Sequence, residues 1–504
     1  MLYWNGGLKI KDVLNLIGGK WVKSESGKWR TRENPANIKE IIARVTQSVS
    51  EDVNKAVEAA AEAFDKWRLT PAPKRGEILF SAAEILKKRK EELARLETVE
   101  MGKIISEARG DVQEAVDMCY YMAGEGRRML GETTPSELPY KDMKSIREPL
   151  GVVALITPWN FPIAIPSWKI IPALICGNTV VFKPASYTSY SAAMFIQCLL
   201  DAGIPSGVVN MVAGSGYEVG DSLLRHRDVK AISFTGSTEV GLGIEKQAAE
   251  RHIPFMCEMG GKNAIVVMDD ADIGLAIEGA LWGGYGTAGQ RCTAASRLIV
   301  HKAVIEKFRV KLVERIRGLK LGDGLDESVD MGPLVSKSQR ETVHKYTLIG
   351  EQEGARLVTG GKYSSVQGCE NGYFYEPTLF DKVTPDMRIA REEIFGPTVA
   401  LIEASGLDDA LRIANGTEYG LSLAIYTRDL NKAAIAEREF QSSLVYINAP
   451  TIGAEIHLPF GGIKNTGLTH KEAGGRGGAI DFYSRVKIVY RDFSGRLQRA
   501  QIDE

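Results

Sequence analysis

Much of what could carry chemistry is scarce in this sequence. Its 504 residues include six cysteines, at 119, 176, 198, 257, 292 and 369, and none of them forms a CxxC pair. That usage argues against a disulfide framework and fits a reducing compartment. Six histidines, at 226, 252, 301, 344, 457 and 470, have no ligand spacing with one another or with the cysteines, so no metal motif emerges. Surplus charge is missing too. Lys plus Arg is 63 and Asp plus Glu is 64, leaving no net field to draw nucleic acid or an anionic membrane. No apolar run is long enough to span a bilayer, and the first ten residues hold no apolar stretch bounded by a cleavage site. The expectation is a cytoplasmic protein whose partners are small molecules.

What is present is a great deal of ordinary globular sequence. The chain is too long for one hydrophobic core, and its length suggests two to four domains. Ser50 reads as the N-cap of a helix over 51–67, followed by helical patterns over 74–100 and 103–130. The polar, proline-bounded stretch 135–149 then reads as an extended arm. From Gly151 the pattern becomes βα. Strands are expected over 152–156, 178–182, 208–212 and 229–234, and helices from Pro162 to Leu174, over 189–202 and from Ser237. Such alternation with short connections argues a doubly wound parallel sheet, which binds ligands beyond the carboxyl ends of its strands. Trp159, Lys183, Gly216 and Ser237 fall there. A second series runs from about 263 to 445, with strands over 264–268, 297–301 and 398–403 and helices over 272–286, 302–317 and 336–353. Residues 448–462 are rich in Pro and Gly, and 484–493 alternates like a strand.

Two segments stand out chemically. One opens Glu258-Met-Gly-Gly-Lys-Asn263 and the other closes Gly289-Gln-Arg-Cys292-Thr293. A cysteine attacks carbonyls as a thiolate, so it needs a base or an environment that lowers its pKa, and a carboxylate can serve. Alone, Cys292 reads as a small buried hydrophobe, and Glu258 as a surface charge. They are not alone. With Thr157-Pro-Trp-Asn-Phe-Pro162, Phe234-Thr-Gly-Ser-Thr238, Glu392-Glu-Ile-Phe-Gly-Pro397 and Pro459-Phe-Gly-Gly462, in this order, the chain resembles the aldehyde dehydrogenase superfamily over nearly its whole length.

The resemblance implies an α/β fold with two doubly wound domains and a β-strand oligomerisation flap. It implies a dinucleotide-binding domain over 1–130 and 150–260, a catalytic domain over 261–475, and a flap over 131–149 and 476–504 that makes a homodimer or homotetramer. Cys292 is then the nucleophile, Asn160 the oxyanion donor and Glu258 the base that activates water against the thioester. Coenzyme A-acylating branches characteristically lack that glutamate, so its presence favours release of a free acid. The rivals are such an acylating enzyme and a non-enzymatic binding or structural member of the family.

The dinucleotide is expected against Ile156, Thr157, Pro158, Trp159, Lys183, Ser186, Gly216, Phe234, Gly236, Ser237, Val240, Glu393 and Phe395. Its phosphates would lie at the helix N-terminus after Gly236, a weak signal by itself. NAD-preferring relatives commonly place Glu three residues after the lysine, where it chelates the adenosine ribose. Ser186 stands there, which leaves room and a donor for a 2′-phosphate and points to NADP, with NAD as the alternative. Phe161, Trp168, Tyr285 and Phe460 are the expected aromatic walls of the substrate site, and Arg291 the candidate cation for a carboxylated aldehyde. The resemblance is strongest to prokaryotic enzymes of 2-oxoglutarate semialdehyde and similar short aldehydes. Thr287, where many relatives have Asn, and Thr469, within a Gly-rich run, depart from the family pattern and leave the geometry near Lys464 and Glu472 open.

Overall fold

The computed structural model describes residues 11–502, so Met1–Ile10 lies outside the described residues. Two seven-stranded sheets organise it. The first runs Phe255–Glu258, Val229–Thr235, Val152–Ile156, Thr179–Lys183, Val209–Met211, Asn15–Ile17 and Lys20–Val22. Its first five strands are parallel, Asn15–Ile17 runs antiparallel to them, and Lys20–Val22 pairs antiparallel with Asn15–Ile17. The second runs Arg356–Thr359, Thr378–Asp381, Thr398–Ala404, Ala295–His301, Asn263–Val267, Ser422–Tyr426 and Leu444–Ile447, all parallel except the first. Central strands such as 152–156, 179–183 and 263–267 are buried at every residue. This is the signature of parallel sheets covered by helices on both faces.

The third element is a three-stranded antiparallel sheet in which Ser484–Asp492 pairs with Lys141–Pro149 along its whole length, with Thr133–Pro135 on the other side. It matches the expected flap, and the fold class stands as the sequence implied it. Phe460, Ala473, Ala479, Ile480, Phe482 and Tyr483 are buried in the same hydrophobic cluster as the central strands of the first sheet, so the chain returns to that sheet after Leu444–Ile447.

Some local expectations differ. The first helix is Ser50–Leu69 with Val49 at its cap, so Ser50 lies inside the helix, and the Asp52 carboxylate reaches back to accept the Val49 N–H at 2.9 Å. The pattern over 74–100 divides into Ala72–Lys88 and Lys90–Met101 at Arg89 (φ −99°, ψ 8°). The run Lys87-Lys-Arg-Lys90 holds no helix breaker, so the sequence does not announce the division. Pro162 precedes its helix, which is Ala164–Cys176, and the Ala164 N–H donates to the Asp111 carboxylate at 2.5 Å.

Candidate active site

Glu258 is the last residue of the edge strand of the first sheet and Asn263 the first residue of a central strand of the second. The chain crosses between domains in the residues between them, and Cys292 sits against that crossing. The Asn263 amide donates to the Cys292 carbonyl at 2.7 Å and to the Ala294 carbonyl at 3.0 Å, while its own oxygen accepts the Ser422 N–H at 2.9 Å. A Cβ on Gly261 would lie 2.4 Å from the Cys292 carbonyl oxygen, which is why no side chain is tolerated at that point.

The approach to Cys292 is unusual backbone. Thr287 and Ala288 adopt left-handed conformations (φ 53° and 54°) followed by Gly289 (φ 68°). Each non-glycine residue there costs about 1–2 kcal/mol. Buried Glu107 offsets the strain by accepting the Thr287 N–H at 2.8 Å, the Thr287 hydroxyl at 3.2 Å and an Arg291 N–H at 3.1 Å. The departure at Thr287 thus has a partner across the molecule. Gln290 adds a further brace, accepting the Val335 N–H at 3.0 Å.

Asn160 is buried and donates to the Gln290 carbonyl at 3.1 Å, which places its amide beside the nucleophile loop. Burial pushes the Cys292 thiol up to about 12, helped by the negative charges of Glu393, Glu472 and Glu258. Glu258 is buried. One carboxylate oxygen accepts the Gly462 N–H at 2.9 Å, and the other has no hydrogen-bond partner among the described residues. Burial, then Glu472, raise it well above the ordinary carboxylate range. Glu472 itself is ion-paired with buried Lys169, which also donates to the Ser233 hydroxyl at 2.7 Å, and accepts the Thr235 hydroxyl at 2.6 Å.

A cavity of about 220 Å³ opens onto Cys292 between the domains. It brings together the expected Pro158, Trp159, Asn160, Gly236, Ser237, Glu393 and Phe395. Thr235, Met259 and Gly260, which lie inside the quoted motifs without an assigned role, and Gln339, which lies in none, also line it. Phe395, with φ 56°, meets Trp159 edge to face at 5.3 Å, and Gln339 pins its carbonyl at 2.8 Å. Glu393 accepts the Gly261 N–H at 2.9 Å, and burial lifts its carboxyl to about 7.

The helix Thr238–Glu250 starts at this cavity, and no side chain caps the N–H groups of its first turn. Ile156 and Thr157 close the neighbouring strand, and Phe234 is buried beneath Gly236. Val240, on the same helix, and Gly216, in the short turn Gly216–Gly220, are exposed. Ser186 donates to the Gly214 carbonyl at 3.0 Å, joining two strand-to-helix turns. Lys183 donates to the Pro184 carbonyl at 3.0 Å, and burial alone lowers it to about 8, with no carboxylate among the described residues acting on it. Free N–H groups, an uncompensated lysine and a flat aromatic at Phe395 suit a dinucleotide.

Of the expected substrate walls, Trp168 and Phe460 pack edge to face at 5.0 Å, and Arg291 lies over Phe161 at 5.4 Å and Trp282 at 4.9 Å. Tyr285 is corrected. It is 3% exposed in the core of the second domain and donates to the Thr378 carbonyl at 3.1 Å, because its place on the helix Ile273–Tyr285 turns it inward. Among the described residues no group of His, Cys, Asp and Glu could hold a metal ion, and no helix is long and apolar enough to cross a membrane.

Comparison with known proteins agrees with this geometry. The model of the aldehyde dehydrogenase family matches residues 21–489. The alpha-ketoglutaric semialdehyde dehydrogenase of Bacillus subtilis is 44% identical over 95% of this chain and 97% of its own. The 2,5-dioxopentanoate dehydrogenase of Saccharolobus solfataricus is 41% identical over 94% and 98%. The crystal structure of betaine aldehyde dehydrogenase from Staphylococcus aureus in complex with NAD+ superposes with a TM-score of 0.93 at 35% identity, covering 96% of both chains. The chain belongs to the aldehyde dehydrogenase family and is an NAD(P)-dependent oxidoreductase acting on aldehydes.

Proposed function

We propose that the chain oxidises a short carboxylated aldehyde, of the 2-oxoglutarate semialdehyde class, to the free acid, with Cys292 as nucleophile, Asn160 as oxyanion donor and Glu258 as base. The observation that carries the chemistry is that Cys292 and Asn160 line one cavity at the crossing between the sheets, with Glu258 buried directly before Met259 and Gly260 of the same lining. Attack by the Cys292 thiolate on the aldehyde carbon leaves a negative oxygen. The Asn160 amide has one N–H on the Gln290 carbonyl and a second for that oxygen, beside the backbone N–H of Cys292. A nicotinamide held by Phe395 and Glu393 supplies a hydride acceptor when bound. Release of the acid from Cys292 then requires a base for water. Glu258, with one oxygen uncommitted, is placed for it, which argues against transfer to coenzyme A.

For the carboxylate, Arg291 uses Nε on Thr287 at 2.8 Å and Nη2 on Glu107, and its face is set between Phe161 and Trp282. That leaves Nη1 for a ligand. Two relatives named for such semialdehydes, at 44% and 41% identity, favour the same substrate class. For the cofactor we favour NADP over NAD, because Ser186 replaces an acid that would repel the 2′-phosphate and Lys183 has no carboxylate to compensate it. The decisive experiment is a kcat/KM panel of matched aldehydes with and without a terminal carboxylate, run with both cofactors. An Arg291 contact gives more than about tenfold preference, on the order of 1.4 kcal/mol. Equal use of propanal and butanal discards the carboxylate reading, and higher kcat/KM with NAD discards the NADP reading.

The flap supports a homodimer or homotetramer. Ser484–Asp492 is paired on one side only and exposes Val486, Ile488 and Tyr490. Light scattering at the monomer mass across micromolar concentrations would remove that proposal. A cytoplasmic setting fits six free cysteines, five of them buried.

A further inference from the structure

Two buried carboxylates, Glu258 and Glu472, act on each other behind the cavity, and two lysines stand near them. Lys169, on the helix Ala164–Cys176, is committed to Glu472 by a direct ion pair and sits against Ser233. Lys471 is different. Its Nζ donates to the Gly462 carbonyl, and the N–H of the same Gly462 donates to Glu258 at 2.9 Å. Between them lies Gly461 at φ 153°. A Cβ there would be 2.1 Å from Glu258 Oε1 and 2.8 Å from Lys471 Cδ, so the lysine stem and the carboxylate meet over the face of the glycine that a side chain would occupy. The motifs gave Lys471 no role, since it lies in the run after Thr469 where the family pattern is broken.

We propose that Lys471 is the counter-charge of Glu258, a positioning residue that draws this carboxylate toward its ionised form, the form able to take a proton from water. The proposal rests on the reading of Glu258 as the base. The charged and titratable groups facing Glu258 are Glu472 and Lys471 from the returning loop, Lys169 from the helix, Cys292 from the nucleophile loop, and Cys257 on its own strand. Burial and Glu472 push Glu258 toward its neutral form, and among the opposing influences Lys471 is the largest. In return, Glu258 is the carboxylate that acts on Lys471, whose own pKa burial lowers. The half-buried location matters. At the rim the ammonium keeps part of its hydration while its field reaches a carboxylate that has none.

The sign follows directly. A positive neighbour favours the ionised carboxylate, so removing it raises the pKa of Glu258 and moves the acid limb of turnover to higher pH. The test is Lys471→Gln, which keeps an N–H for the Gly462 carbonyl and deletes the charge, beside Lys471→Arg, which restores the charge. Each is assayed as a pH profile of kcat together with the pre-steady-state burst of reduced cofactor, which reports attack and hydride loss before water is needed. The expected result is an alkaline shift of the kcat acid limb by about 1 pH unit in Lys471→Gln, a burst that persists, and a wild-type profile in Lys471→Arg. A kcat that falls with an unmoved profile makes Lys471 merely structural and overturns the proposal. So does an equal shift in both variants. Glu258→Gln is run alongside. If it turns over normally, the base assignment itself has failed, which is a separate outcome from an unmoved Lys471→Gln profile.

Discussion

Glu258 ends one sheet and Asn263 begins the other, yet the two residues are held in opposite ways. The Asn263 side chain makes three hydrogen bonds and uses them to fix the backbone of the nucleophile. The Glu258 carboxylate accepts one, from Gly462, and is otherwise surrounded by Gly461, Gly462 and Gly467. A nucleophile gains from being fixed, since attack depends on alignment. A base that acts only after the hydride has gone gains from having room to withdraw and return. The same crossing carries a nucleophile braced by a three-bonded side chain at one end and a base that accepts a single hydrogen bond at the other.

The largest effect is expected where the fixed side is removed outright. Cys292→Ser should lower kcat by at least roughly a thousandfold, because a hydroxyl ionises far less readily than a thiol in the same setting and is the poorer nucleophile. Wild-type rates would end the nucleophile assignment. On the side of the base, Glu258→Gln should lower steady-state turnover by roughly 10²–10⁴-fold while a burst of reduced cofactor survives. If burst and turnover fell together, the glutamate would be acting on attack and the contrast between the two ends would collapse. Gly261→Ala tests the crossing itself. Its Cβ would meet the Cys292 carbonyl at 2.4 Å, backbone against backbone, and a displacement of about 1 Å at the nucleophile costs about a hundredfold in kcat/KM. A fully active alanine variant would show that the nucleophile loop is not fixed after all.

How much of this contrast the sequence could carry depends on range. Cys292, Glu258 and Asn160 each lie in a short motif, and the strand over 152–156 was legible because it is a continuous apolar run. The restraints were not. Glu107 reaches Thr287 across 180 positions, and Gly462 reaches Glu258 across 204. No local pattern encodes such pairs. Tyr285 was misread for the same reason, since an aromatic before a Gly-rich loop looks alike whether its helix turns it to a cavity or to the core. Four strands of the second sheet, Arg356–Thr359, Thr378–Asp381, Ser422–Tyr426 and Leu444–Ile447, escaped notice because runs so short carry little periodicity.

The smallest predicted effect is the most specific to the comparison. Asn263→Ala removes the brace on Cys292 without touching the reacting atoms, leaving the Ser422 N–H and the Ala294 carbonyl unpaired in a buried setting. Each such group costs about 1–3 kcal/mol, but most of that falls on stability, because the strand Asn263–Val267 stays paired on both sides. The part that reaches catalysis is the freedom given to the Cys292 carbonyl. Thr451, which donates to the Thr293 carbonyl at 2.7 Å, and the Glu107 contacts still restrain the loop. A loss of about tenfold in kcat/KM, roughly 1.4 kcal/mol, is therefore expected, together with a lower melting temperature. The burst should slow in proportion while deacylation keeps its rate, because Glu258 is held by other residues. An Asn263→Ala enzyme that loses deacylation instead would mean that the two ends of the crossing are one mechanical unit, and that braced nucleophile and singly bonded base are the wrong division.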